Sequence, residues 1–280
     1  MKKLNLKTRK KRDRLIRSAI QLLFFVIAPS LFSAAFSGIR YIVTQIHELK
    51  LIEWTSFVQI LVVLLIFTAV FGRFFCGYAC AFGSLGDAVY ELSAFLQRKL
   101  RKKVIKISDK TLHRLQHLKY LVLAGIVAFC YFGWYAKISK ADPWELFASF
   151  TSGNFSLSGK SIAAVLLFAI VIGMCIVPRF FCQFLCPMGA VFSFIPVLPA
   201  SILTKDKNNC IKGCGLCRKN CPAALDIESF SGECFQCGAC SNVCPKGNIK
   251  TGMKRRFRGN EVVAVLVKAA ILFAVCYPWM

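Results

Sequence analysis

The chain has 280 residues, 56% of them hydrophobic, and 37 Lys and Arg against 13 Asp and Glu leave a net charge of +24. So apolar a chain points to a membrane protein. Basicity on this scale can serve nucleic acid, but here it is spaced between long apolar runs. That is the pattern of membrane topology and anionic lipid, and it sets nucleic acid aside as a partner.

Four apolar stretches, roughly Ile16–Phe36, Phe57–Phe75, Leu118–Ala136 and Ile162–Val177, approach the ~20 residues that cross a bilayer. A fifth, Val262–Tyr277, is shorter and contains Lys268, whose stem could snorkel. Positive charge sets the orientation. Met1–Arg17 carries nine Lys/Arg, Gly77–Lys119 nine and Arg179–Asn260 twelve, so all three segments are expected on the cytoplasmic side. The expectation is a multi-pass protein of the cytoplasmic (inner) membrane with its N-terminus inside. Ser37–Ser56 then becomes an external connection.

The second stretch ends in Gly72-Arg-Phe-Phe-Cys76-Gly-Tyr-Ala-Cys80-Ala-Phe-Gly83, and the fourth in Pro178-Arg-Phe-Phe-Cys182-Gln-Phe-Leu-Cys186-Pro-Met-Gly189. The motif recurs at an offset of 106 residues, which makes two units, 16–83 and 118–189, of two spans and a cysteine pair. On a helix each pair would share one face with Cβ atoms ~5–6 Å apart, too far for a disulfide. Two facing pairs would instead supply four thiolates to an iron-sulfur cluster at the membrane face. The alternative is that these cysteines are small packing residues. Arg73 and Arg179 either mark the interface or contact a quinone headgroup or the cluster.

In Ser84–Leu100, Leu85, Val89, Leu92, Leu96 and Leu100 form one helical stripe, which predicts an amphipathic surface helix burying those leucines. Arg98–Lys119 continues as a basic linker in which His113 and His117 read as solvated. Asp142-Pro-Trp-Glu145 reads as an external turn with an interfacial tryptophan.

Eight of the 15 cysteines fall between Cys210 and Pro245, in two runs that each end in Cys-Pro; the second has the ferredoxin spacing and the first differs by one extra residue between Cys210 and Cys214. The fourth cysteine of each run reaches across to the other cluster. This predicts Cys210, Cys214, Cys217 and Cys244 on one [4Fe–4S] cluster and Cys234, Cys237, Cys240 and Cys221 on a second. Structural zinc is the competing reading, but it would leave the third cysteine of each run without a role. Lys212, Arg218, Lys219 and Lys246 would favour the reduced clusters and attract an acidic redox partner. No Cys-x-x-Cys-His motif supports covalent haem.

Two Cys-x-x-x-Cys units at span ends, followed by a double ferredoxin motif, resemble the NapH/MauN ferredoxin-type membrane proteins over roughly Ile16–Lys250, and in this core the NosR-type proteins. Cys182–Pro187 matches the family's Cys-x-x-x-Cys-Pro, whereas Ala81 replaces the proline after Cys80. No covalent flavin-attachment pattern is present. The resemblance implies passage of electrons between the quinol pool and partner redox proteins, as a component of a quinol dehydrogenase chain.

The expected architecture is an all-α polytopic membrane protein with four to five spans. It comprises a membrane domain (1–204), a cytoplasmic 2[4Fe–4S] ferredoxin-type domain (205–252) and a basic linker with a last span (253–280). The expected function is a single-electron relay whose partners are lipid, quinone and another iron-sulfur or redox protein. An assembly factor reducing metals or thiols and a membrane redox sensor are the other classes the pattern allows.

Overall fold

The computed structural model describes residues 6–101, 108–135, 139–151, 153, 160–206, 208–211, 213–225, 227, 232–251 and 261–279. Lys212 and the linker 252–260 lie outside them.

The predicted first span is not one helix. Helix α1 (Leu6–Ile27) stops before Pro29, and α2 (Leu31–His47) leaves at 62° to it. Proline has no N–H to continue the ladder and its ring clashes with the preceding turn, so the chain bends there. Residues 37–47, expected in an external connection, are therefore helical. Helix α3 (Ser56–Phe71) is capped by Thr55, whose hydroxyl accepts the Val58 amide. It packs against α2.

Past α3 the chain breaks at Gly72, makes a five-residue helix α4 (Phe74–Tyr78), and restarts at Cys80 as α5 (Ala81–Lys99). After α6 (Asp109–Leu115), α7 (Leu118–Tyr131) and α8 (Pro143–Thr151), the pattern returns. Apolar α9 (Ser161–Ile176) breaks, a five-residue helix α10 (Phe180–Phe184) follows, and α11 (Pro187–Phe194) restarts at Cys186. In both copies one carbonyl ends the short helix by accepting two amides. Phe75 O takes Ala79 N and Cys80 N at 2.8 and 2.9 Å, and Phe181 O takes Leu185 N and Cys186 N at 3.0 and 2.9 Å. The expected helical i, i+4 face for each cysteine pair is thus corrected. The second cysteine sits at the N-cap of a new helix, in extended backbone.

Helix α5 buries only the first half of its leucine stripe: Leu85 and Val89 pack against the core, and the stripe turns outward beyond them. Ala81, Phe82, Gly83, Gly86 and Ala94 face inward, while Leu92 is 60% exposed and Phe95, Leu96 and Leu100 are also exposed. Gly86 faces the Arg179 Cα and Met174, where a Cβ would make ordinary contact at 3.6 Å. Trp144 is likewise not an interfacial anchor. It begins α8, buried against Phe36 and Phe181.

The fold is mostly helical but not all-α. Strands β1 (Leu203–Lys205) and β2 (Ile249–Thr251) pair antiparallel, Leu203 opposite Thr251, and join the two ends of the ferredoxin-type segment. That segment contains the short helices α12 (Leu216–Lys219) and α13 (Ala239–Val243). In the last helix, α14 (Glu261–Cys276), Lys268 lies over the rings of Phe71 and Phe74 at 5.5 and 5.9 Å.

Among the described residues one helix, Val262–Trp279, is long and apolar enough to cross a membrane, or two if the bent α1–α2 pair is one span. Helices α3 and α9 are apolar but shorter. Leu22, Val26, Ile66, Leu121, Val165 and Phe168 are exposed on their outer faces.

Candidate metal centres

The repeat brings all four of its cysteines to one buried place. Cys76 and Cys182 are the middle residues of α4 and α10, Cys80 and Cys186 the N-caps of α5 and α11, and all four are buried. Cys182 lies within electrostatic reach of Cys76 and Cys80, and Cys186 of all three others. Gly83 and Gly189, each three residues after the second cysteine, line the site. A Cβ on Gly83 would come 3.9 Å from Cys182 Sγ, and one on Gly189 3.4 Å from the Cys186 Cβ. The Gly189 amide donates to Cys186 Sγ at 3.2 Å. Four buried thiols, glycine-lined space and an amide directed at sulfur fit an iron-sulfur cluster.

A second set converges in the ferredoxin-type segment. Cys221, Cys234, Cys237 and Cys240 line one small hollow of about 20 Å³, together with Leu203, Phe235 and Gly238. Burial, then the neighbouring sulfurs, push the Cys221, Cys234 and Cys240 thiols upward, Cys234 to about 12, because clustered negative charge is unfavourable without a cation. Loading with iron must therefore expel protons from this set. Cys221 thus lies at the same hollow as three cysteines of the second run. The other set is gathered less fully. Cys217 and Cys244 pack against the small core of Leu203, Cys240 and Ile249, whereas Cys210 and Cys214 are half-buried and not part of it. The Asn248 amide donates to Cys244 Sγ at 3.3 Å. Among the described residues no three His, Cys, Asp or Glu close around a single ion, and His113 and His117 are exposed.

Arg73 and Arg179 are not interface markers. They are 1% and 0% exposed, and an interfacial arginine would keep its head in water. Arg179 donates from Nε to Asp87 Oδ1 (3.0 Å), from Nη2 to Asp87 Oδ2 (2.7 Å) and Gly77 O (2.9 Å), and from Nη1 to Cys76 O (2.7 Å). It thereby ties the second repeat to the first. These bonds hold Arg179 in the left-handed region, φ 57°, which costs a non-glycine residue roughly 1–3 kcal/mol. In the first repeat Gly72 takes the left-handed step instead, φ 68°. Burial alone would raise the Asp87 carboxyl, but Arg179 and Arg17 outweigh it and hold it at about 2.

Arg73 reaches the other way. It donates to Glu233 Oε2 at 2.9 Å and Gly232 O at 3.3 Å, while Lys119 and Tyr120 also hold Glu233. Despite burial, Arg73 and Lys119 keep the Glu233 carboxyl below its usual range. Both guanidinium groups stack on Phe235, with centroid distances of 4.9 Å for Arg73 and 5.1 Å for Arg179. Only glycine fits at position 77, since a Cβ would lie 2.3 Å from the Phe235 carbonyl oxygen. Phe235, between Cys234 and Cys237, is thus the joint at which the ferredoxin-type segment meets the four-cysteine site.

Asp87, Lys119, Glu233 and Phe235 were not marked by motif spacing. The available signal was scarcity: with 13 acidic residues against 37 basic ones, an acid beside a cysteine motif is uncommon.

A family model described as a 4Fe-4S binding domain matches residues 54–103 and 161–202, the two Cys-x-x-x-Cys units rather than the ferredoxin runs. An uncharacterised protein of Methanocaldococcus jannaschii is 31% identical over 236 residues, 84% of this chain and 85% of its own. The ferredoxin-type protein NapH of Haemophilus influenzae is 28% identical over 65% of this chain and 63% of its own. The methylamine utilization ferredoxin-type protein MauN of Methylobacillus flagellatus is 26% identical over 54% and 48%. The chain belongs to the NapH/MauN-type ferredoxin family. This family is related in its core to the regulatory protein NosR, of whose length the chain spans about a third. As a member, the chain binds iron-sulfur, and both of its Cys-x-x-x-Cys units match the 4Fe-4S binding domain. No solved structure matches it.

Proposed function

We propose that this NapH/MauN-type protein is a multi-pass relay of the cytoplasmic membrane, taking electrons from the quinol pool and passing them singly to a partner redox protein. Clusters bound at Cys76, Cys80, Cys182 and Cys186, at Cys221, Cys234, Cys237 and Cys240, and at Cys210, Cys214, Cys217 and Cys244 would each exchange one electron at a time. The observation that carries the reading is the Phe235 joint, which puts a membrane-repeat sulfur site and a ferredoxin sulfur site against one ring. Glu233, Arg73 and Lys119 fix that joint, and amides on Cys186 and Cys244 set sulfur basicity. The ferredoxin-type proteins among the relatives support electron transfer as the activity. The apolar outer faces of α1, α3, α7 and α9 support burial in lipid. Exposed Arg218, Lys219 and Lys246 offer positive charge to an acidic partner.

Protein purified without oxygen should hold about twelve irons per chain, four for each cubane, and a quinol analogue should reduce part of its EPR-active population. One equivalent of zinc without visible absorption, or a sample that dithionite reduces and quinol does not, defeats the proposal. In the proposed topology the N-terminus and the segment from Lys205 face the cytoplasm. A reporter fused at Lys205 should be active only as a cytoplasmic fusion, and periplasmic activity reverses the assignment.

A further inference from the structure

We infer that Arg73 is the hydrogen-bond donor that tunes the centre at Cys76, Cys80, Cys182 and Cys186, whereas Arg179, its counterpart in the repeat, is a clamp. The inference rests on the proposed centre at that site. Motif position makes the two arginines equivalent, and both are fully buried. A guanidinium carries five N–H donors, and a buried donor without an acceptor is costly. All three Arg179 nitrogens are used, on Asp87, Cys76 O and Gly77 O.

Arg73 differs. Among the described residues only its Nη1 is engaged, on Glu233 and Gly232, while Nε and Nη2 are buried with no partner there. That unpaired edge opens toward the four-cysteine site. Nη2 lies 3.0 Å from where a Gly189 Cβ would stand, and the Gly189 amide is itself bonded to Cys186 Sγ. Arg73 is within electrostatic reach of both Cys76 and Cys186. Glycine at 189 therefore leaves room for the guanidinium edge beside sulfur. Sulfur is the acceptor this pocket offers, and an anionic cluster sulfur would satisfy both nitrogens. Donors to sulfur favour the more negative, reduced state, so Arg73 raises the potential of this centre alone.

Arg73→Lys keeps a positive charge for Glu233 but loses the planar two-nitrogen edge. Iron content should stay at the wild-type level while the reduction equilibrium of this centre shifts at least tenfold, 59 mV more negative for a one-electron couple. The ferredoxin centres should not move. Arg179→Lys should lower thermal stability without that shift. An unchanged potential in Arg73→Lys, or an equal shift in Arg179→Lys, overturns the assignment. Should Arg73→Lys not fold, Arg179→Lys protein labelled with [15N]arginine provides the second reading. Its pulsed EPR spectrum should contain a nitrogen-15 coupling to this centre, and a signal without that coupling is equally fatal. A wild-type protein lacking the third signal altogether defeats the underlying centre rather than the role of Arg73.

Discussion

Replacing Cys76 and Cys182 together with alanine should remove about four irons per chain and one EPR signal, and should abolish reduction by quinol while leaving reduction of the ferredoxin-type segment by dithionite. The reason is geometric. These are the middle residues of two matched five-residue helices, one from each repeat, and each lies against the other repeat's cysteines. Without both, the site retains only the N-cap thiols Cys80 and Cys186, too few to hold a cubane. Iron analysis of the double variant against Cys130→Ala, a buried cysteine away from the repeat motif, is the measurement. If the double variant keeps every iron and every signal, the four thiols are packing residues after all.

The second large effect is expected at Asp87. Asp87→Asn should destabilise the protein by ~3–5 kcal/mol, because it leaves the buried Arg179 and the half-buried Arg17 without their shared carboxylate. For a chain of this size that is a fall in Tm of roughly 6–20 °C. Glu91→Gln, which breaks only the exposed pair with Arg14, should cost less than ~1 kcal/mol. The pH dependence follows from the sign of the shift. The Asp87 carboxyl, held at about 2, contributes its stability above the unfolded carboxylate range near ~3.9. That contribution is lost as pH falls toward 2, and its loss should be absent from Asp87→Asn. Equal melting temperatures for Asp87→Asn and Glu91→Gln would show that the Arg179 clamp is not needed.

Much of the candidate site was legible in the chain. The ferredoxin runs and the repeated cysteine motif are matters of spacing, and ligand spacing is a local property that survives without knowledge of the fold. The repeat gained its meaning in three dimensions, where the same break and restart occurs after α3 and after α9. The leucine stripe of Ser84–Leu100 misled because periodicity identifies an apolar face and not what that face meets. Helix α5 packs through Phe82, Gly86 and Ala94 together with Leu85 and Val89, while Leu92, Leu96 and Leu100 turn outward. Pro29 was a visible warning that the first apolar stretch would bend, since a proline inside an apolar run breaks the ladder whatever the hydropathy around it.

The chain by itself determined that cysteines of iron-sulfur spacing sit between apolar stretches, because composition, charge placement and ligand spacing are all properties of neighbouring residues. Only the tertiary structure decided that two arginines are buried, that Asp87 and Glu233 receive them, and that Phe235 lies between the two sulfur sites. Those contacts join residues 92 and 160 positions apart, Asp87 with Arg179 and Arg73 with Glu233. Such pairings exist only once the repeats have closed on each other and water has been expelled from around the charges.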